Sequence, residues 1–247
     1  GDQKIKEMII LYADIRNFTT FCETIPANET FAVLNEYLDY VAPAIQEHGG
    51  VIDKFMGDGI MALFENDADN ALQAAIEMQN RLHLFNRKRI AANELPMHIG
   101  IGLHIGTVTL GTVGTENRLS TTVIGDPVNL ASRLEAYSKI NKAFIQLSED
   151  LASKLHNPSK FNLRQVGKLL AKGKSNKVVL LEEYTCLNEV VREKIKMNIE
   201  QFNKAMDAYD RKQIIEAQEI FKEYLKVIPE DEVAQSYFQQ CNLELKN

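Results

Sequence analysis

The sequence contains no tryptophan and does not open on methionine. Its three cysteines, Cys22, Cys186 and Cys241, form no Cys-x-x-Cys pair, and its five histidines show no His-x-x-x-His spacing. An odd, dispersed cysteine set leaves at least one thiol outside any intrachain bridge and points to a reduced, cytoplasmic chain. The same scarcity gives a zinc site little support. No apolar run approaches the roughly 20 residues that a membrane-spanning helix needs. Basic residues number 28 against 34 acidic ones, a net charge of −6. Bulk-charge coating of a nucleic acid polymer is therefore not expected. The opening Gly1-Asp2-Gln3-Lys4 has no signal-peptide pattern and reads as the edge of a fragment. The longer protein could carry a membrane anchor upstream.

What is there is globular. Hydrophobic residues make up 45% of the 247 and charged residues 25%, the balance of a folded soluble domain. Met8 to Ala13 is apolar throughout and ends at Asp14, the pattern of a strand buried on both faces. Phe31, Leu34, Leu38, Val41 and Ile45 recur at helical spacing and predict one long helix that Gly49-Gly50 stops. Val51–Phe55 and Ile60–Phe64 predict a hairpin around Met56-Gly57-Asp58-Gly59. A second helix is expected from Ala68 to about Ala92. Met97 to Ile105 alternates apolar residues with His98, Gly100, Gly102, His104 and Gly106. That is a strand whose glycine face admits something close to the backbone. Gly111 to Gly125 reads as a strand pair, and Asp126-Pro127 opens a helix to about Ile140. A strand near Ala143–Leu147, a short helix from Ser148 and strands Phe161–Leu170 and Val178–Tyr184 follow. The whole predicts an α+β fold, a βαββαβ sandwich with extra strands and helices on one side of the sheet. Beyond Tyr184 only helices are expected, near 188–209, 213–227 and 231–246. Ala205, Ala208, Ala217, Phe221, Tyr224 and Pro229 give this tail a tetratricopeptide-like hairpin character. The expected boundary divides 1–184 from 185–247.

Two carboxylates stand out. Asp14 ends a buried strand and Asp58 sits in a turn between two others. If those strands are neighbours, the pair meets at one sheet edge. Such a pair suits Mg²⁺ or Mn²⁺, which take oxygen ligands and share the remaining positions with water and phosphates. By spacing alone, turn chemistry explains either aspartate as readily.

Four motifs change that weighting. Leu11-Tyr12-Ala13-Asp14-Ile15-Arg16-Asn17-Phe18-Thr19 resembles the opening motif of the class III nucleotidyl cyclases. Lys54-Phe55-Met56-Gly57-Asp58-Gly59-Ile60-Met61-Ala62 resembles their second metal motif. Ile124 to Glu135 (Ile-Gly-Asp-Pro-Val-Asn-Leu-Ala-Ser-Arg-Leu-Glu) resembles their signature helix, and Ala171-Lys172-Gly173-Lys174 their late motif. All four stand in the family's order across roughly residues 5–184. The resemblance implies the ferredoxin-like cyclase fold and conversion of ATP to 3′,5′-cyclic AMP and pyrophosphate. It also implies two Mg²⁺ or Mn²⁺ ions held by Asp14, Asp58 and the main-chain carbonyl of Ile15. Backbone N–H groups from about Asn17 to Phe21, including Phe18 and Thr19, would receive the triphosphate. Asn129 would orient the ribose and Arg133 would stabilise charge on the α-phosphate; four apart on one helix, they share a face. Lys172 would contact the terminal phosphates, with Lys174 an alternative. Lys54 and Thr122 would read the base. The metal aspartates would come from one subunit and Lys54, Asn129 and Arg133 from the other, so a homodimer would build two equivalent sites.

A lysine has donors only, so Lys54 fits the acceptor at adenine N1 and conflicts with guanine N1–H. Many adenylyl members carry Asp where this chain has Thr122, and a hydroxyl both donates and accepts. ATP is therefore the expected substrate, with guanylyl or dual specificity the alternative. Thr122 resembles the subgroup that includes bicarbonate-responsive soluble cyclases, which implies bicarbonate as an activator. A catalytically silent nucleotide-binding or dimerisation module is the competing class, and the complete residue inventory speaks against it. Asp126 is expected in a first helical turn, Arg16 and His104 in packing. The helical tail is expected either to cap the catalytic part or to receive a protein partner.

Overall fold

The computed structural model describes residues 3–115, 118–170 and 177–246, with the side chains of 113–121 left aside. Its elements in chain order are β1 (Lys4–Ile15), α1 (Phe18–Glu23), α2 (Ala27–Val41), α3 (Pro43–Glu47), β2 (Val51–Met56), β3 (Gly59–Phe64), α4 (Ala68–Ala91), β4 (Ile99–Thr115) and β5 (Arg118–Ile124). There follow α5 (Asp126–Asn141), β6 (Ile145–Ser148), α6 (Glu149–Ala152), β7 (Leu163–Leu170), β8 (Lys177–Glu183), α7 (Glu189–Met197), α8 (Ile199–Asp210), α9 (Ile214–Val227) and α10 (Glu232–Glu244).

The apolar run of β1 takes the centre of the sheet because both its faces find cover. Ile9, Leu11, Ala13 and Ile15 are buried in a core shared with α2, α3 and α4. Met8 and Ile10 are buried on the other face, with Met61, Val108, Val123 and Ala131 of α5. The strands run β2-β3-β1-β4-β6-β8-β7, and β5 pairs with β4. The first four are antiparallel in the order 2-3-1-4, the ferredoxin-like arrangement. β4 serves two partners along one edge: β6 in parallel at Ile101–Leu103 and β5 antiparallel from Thr109 to Thr115.

The sequence pattern predicted helices on one side of the sheet, and the structure corrects this. α2, α3 and α4 cover one face, while α5 and the C-terminal helices cover the other. The glycines of β4 make the second layer fit. A Cβ on Gly102 would lie 2.3 Å from the Glu135 backbone nitrogen, and one on Gly106 would lie 2.4 Å from the Pro127 ring. The group that approaches the glycine face is thus helix α5.

Two further expectations shift, and a third, the strand pair, holds within a longer strand. The long helix breaks at Ala42-Pro43, and Phe31 is 75% exposed rather than core. Pro43 has no N–H to continue the α2 ladder, so it starts α3 instead. The strand pair over Gly111–Gly125 is the far end of one 17-residue strand, β4, and its partner β5. The first tail helix divides at Asn198 into α7 and α8. Among the described residues, no helix is long and apolar enough to cross a membrane.

Candidate functional site

The register of β1 on β3 places Ala13 opposite Ile60. Asp58, two residues before Ile60, therefore falls beside Asp14. Gly57 makes the turn with φ +64°, and a Cβ there would meet nothing within 4 Å. Glycine is present for the left-handed backbone alone. The Ile15 N–H donates to Asp58 Oδ2 at 3.2 Å, which sets the Asp58 carboxyl beside that of Asp14. Burial first, and the neighbouring Asp14 second, push the Asp58 carboxyl up to about 6. Two carboxylates this close resist joint ionisation unless a cation offsets their charge.

One cation is already near. Lys139 on α5 donates to Asp14 Oδ2 at 2.8 Å and stands 3.4 Å from Glu135 Oε1. Burial works to lower the Lys139 ammonium, but the Asp14 and Glu135 carboxylates hold it above its ordinary value. Burial pushes Glu135 up to about 7 against the pull of Lys139. The sequence reading missed Lys139 and Glu135. Their only signal was an i,i+4 Glu–Lys pair, which is ordinary on any helix.

At the start of α1, Phe18 is half-buried and stacks on Phe21, and Thr19 is exposed. Asn17 holds a left-handed conformation at φ 55° that turns the chain into the helix. The first-turn N–H groups have no helical acceptor. That of Phe21 does, donating to the Asn17 carbonyl at 2.9 Å, so the expected anion-binding stretch ends before it.

Lys54 and Thr122 come together across the sheet from β2 and β5, the Lys54 Nζ donating to Thr122 Oγ1 at 3.3 Å. A bulge between Ile52 and Lys54 interrupts the β2–β3 register. The extra residue is Asp53, whose Oδ2 lies 3.1 Å from Lys54 Nζ. Bulges re-aim side chains in this way, and no sequence signal announced this one.

Asn129 is exposed near the start of α5, and Arg133 is half-buried and donates to the Leu170 carbonyl at 2.9 Å. With about 3.6 residues per turn, this pair lies roughly 120° around α5 from Glu135 and Lys139. One stripe of α5 serves Asp14 of its own chain; the other turns away from it. Lys172 and Lys174 lie outside the described residues. Asp126 sits in the first turn of α5 without capping it. Arg16 donates to the carbonyls of Ser138 and Ala143 and lies over the Phe144 ring. His104 is buried with its Nδ1 2.7 Å from Ser148 Oγ.

Residues 2–185 match the family described as the Adenylate and Guanylate cyclase catalytic domain. The chain belongs to this family. An adenylate cyclase of Anabaena cylindrica is 43% identical over 188 residues, covering 74% of this chain and 38% of the relative. The terminal-differentiation-specific adenylate cyclase of Dictyostelium discoideum is 34% identical over 253 residues, covering 100% of this chain, helical tail included, and 12% of the relative. The chain thus spans well under half the length of these relatives. Among solved structures, the adenylyl cyclase CyaB from P. aeruginosa superposes with a TM-score of 0.64 at 27% identity, covering 76% of this chain and all of that one. The guanylyl cyclase Cya2 gives 0.62 at 32%, covering 74% of this chain and 93% of that one. Both base specificities therefore occur among relatives of this cyclase domain.

Cyclase domains of this family use divalent metal ions. The paired carboxylates of Asp14 and Asp58 fit that requirement, since they offer hard oxygen donors whose mutual repulsion a cation relieves. A second acidic group, Asp67, Asp69 and His156, has ligand atoms within 4.8 Å of one another. Its oxygens are occupied otherwise. Asp67 caps α4 by accepting from the Asn70 N–H, and Asp69 accepts from the His156 and Asn157 backbone.

Proposed function

We propose that this cyclase domain converts ATP to 3′,5′-cyclic AMP and pyrophosphate, at sites completed by a second copy of the chain. The observation that carries this reading is the division of α5. The stripe bearing Lys139 meets Asp14, so Asn129 and Arg133, about a third of the way round, are presented to another molecule's aspartate pair. Asp14, Asp58 and the Ile15 carbonyl of one copy would hold two Mg²⁺ or Mn²⁺ ions. Bound there, the cations would ease deprotonation of the ribose 3′-hydroxyl and stabilise the departing pyrophosphate. Asn129 of the other copy orients the ribose so that O3′ lies in line with the α-phosphorus. As the O3′–P bond forms and the bond to the bridging oxygen breaks, the Arg133 guanidinium stabilises the charge gathering on the α-phosphate. First-turn amides near Phe18 and Thr19 receive the β- and γ-phosphates, together with Lys172.

ATP is preferred over GTP in this reading because Lys54, anchored beside Thr122, offers only donors to the base edge. The Thr122 hydroxyl accepts from Lys54 and remains open to the adenine amine. Mixing Asp14→Ala chains with Arg133→Ala chains tests the shared site. Each variant alone keeps only a small residual rate, on the order of a hundredth of wild type or less, and the mixture recovers about a quarter of the wild-type rate for random pairing, because half of all pairs are mixed and carry one intact site of two. No recovery in confirmed mixed pairs overturns the shared site. Product analysis with ATP and GTP in parallel, with Mn²⁺ supplied, tests the reaction itself.

A further inference from the structure

The helices after β8 do not hang from the domain. Leu130 and Leu134, each next to a proposed catalytic residue on α5, are buried together with Val166 of β7 against Phe202, Phe221 and Tyr237 of the tail. Polar contacts follow the same route. Ser236 Oγ on α10 donates to the Ile140 carbonyl at the end of α5, at 2.9 Å. The next residue, Tyr237, donates through its hydroxyl to the Val166 carbonyl. A Cβ on Gly167 would come within 2.7 Å of that hydroxyl, so the strand has glycine where the tyrosine arrives.

The N-terminus of α10 is fixed more firmly. Arg164 of β7 is buried and donates to both Asp231 oxygens, at 2.6 and 2.9 Å, and through Nε to Glu182 at 2.6 Å. Asp231 also accepts from the Tyr224 hydroxyl at 2.8 Å and from the Val233 and Ala234 N–H groups at 3.1 and 3.2 Å. A buried ion cluster of this kind adds little net stability compared with apolar packing, and its best-attested use is to fix register. Lys168 on the same strand pairs with Asp210 of α8 at 2.7 Å. β7 then ends at Leu170, whose carbonyl receives the Arg133 guanidinium at 2.9 Å.

We propose that the C-terminal helices are a positioning element of the catalytic centre, with α10 clamping α5 and β7 together and Ser236, Tyr237 and Asp231 acting through Arg133. This rests on the assignment of Arg133 given above. Arg133 depends on two things, the axial placement of α5 and the position of Leu170, and α10 grips the element behind each. A small displacement of a positioned cation suffices to slow a reaction without weakening ground-state binding.

The test uses the full chain with Ser236→Ala, Ser236→Thr and Tyr237→Phe, each shown by melting to be folded. Ser236→Ala and Tyr237→Phe should lower kcat about tenfold with KM for ATP nearly unchanged, while Ser236→Thr keeps the wild-type rate. In an Arg133→Ala background the same substitutions should cost less than about twofold, because the group they position is gone. Amide exchange should quicken in 137–141 and 163–170, a readout independent of turnover. Unchanged exchange overturns the clamp. Faster exchange with an unaltered kcat, or an equal fold-loss in the Arg133→Ala background, overturns its link to Arg133. A wild-type protein that turns over neither ATP nor GTP overturns the catalytic reading and with it that link, while exchange still decides whether the clamp exists.

Discussion

Two glycines that look alike in the sequence differ in what they tolerate. A methyl at Gly102 would have Glu135 N, Ala131 O and Glu135 Cα within 2.9 Å, all of it α5 backbone. Gly102→Ala must push the helix off the sheet. A loss of about 2–3 kcal/mol is expected from such overpacking, read as a fall in melting temperature together with lost cyclase activity. Gly57→Ala meets no atom and strains only the backbone, for about 1 kcal/mol. In the proposed site, base choice falls to Lys54. Lys54→Glu replaces donors with acceptors, so kcat/KM should swing from ATP toward GTP by about tenfold or more, measured as a ratio on the same preparation. The hydrophobic pattern showed Asp14 at a strand end and Asp58 in a turn, while their reading as a metal-holding pair came from the resemblance of the motifs around them. Asp53 was not legible, since a bulge depends on pairing with β3 that no local pattern encodes. Lys139 was not either, since a Glu–Lys spacing does not reveal that Asp14 lies across from it.

The elements were legible to the extent that they were local. The strand run of β1, the hairpin around Gly57-Asp58 and the α4 stripe follow from periodicity. The side on which a helix packs does not, because the face bearing Gly100, Gly102 and Gly106 is marked by what it lacks. The junction of β7, β8 and α10 carries its own pH signature. Burial pushes Glu182 up to about 7 despite Arg164, while Arg164 holds Asp231 below its ordinary range against the same burial. The groups facing them are Arg164, Glu183, Tyr224 and the Gln146 amide in register with Glu182. A carboxyl raised on folding contributes stability that is complete below its unfolded value and is lost as pH rises through the folded one. Glu182 therefore favours the fold below about 4.5 and loses that contribution toward about 7. Asp231 acts in the opposite sense, losing its contribution only as pH falls below the usual aspartate range. Glu182→Gln should flatten the decline in melting temperature between pH 5 and 8 by a few degrees, about what 1 kcal/mol produces in a domain of this size.

At the scale of the molecule, the proposed two-fold pair has each chain give one half to each of two sites shared with a single partner, so activity in that reading depends on encounter. Specific activity should fall on dilution and reach a plateau at high protein concentration, with sedimentation reporting the same midpoint. A concentration-independent rate would mean that a lone chain completes its own site. The two stripes of α5 add a mechanical consequence. Lys139 and Arg133 ride one stiff rod, a third of its circumference apart. Neither charge can travel alone: any roll of that rod that loosens the grip on the home aspartate swings the guanidinium in the same stroke, gearing the two halves of an assembled pair to a single rotation.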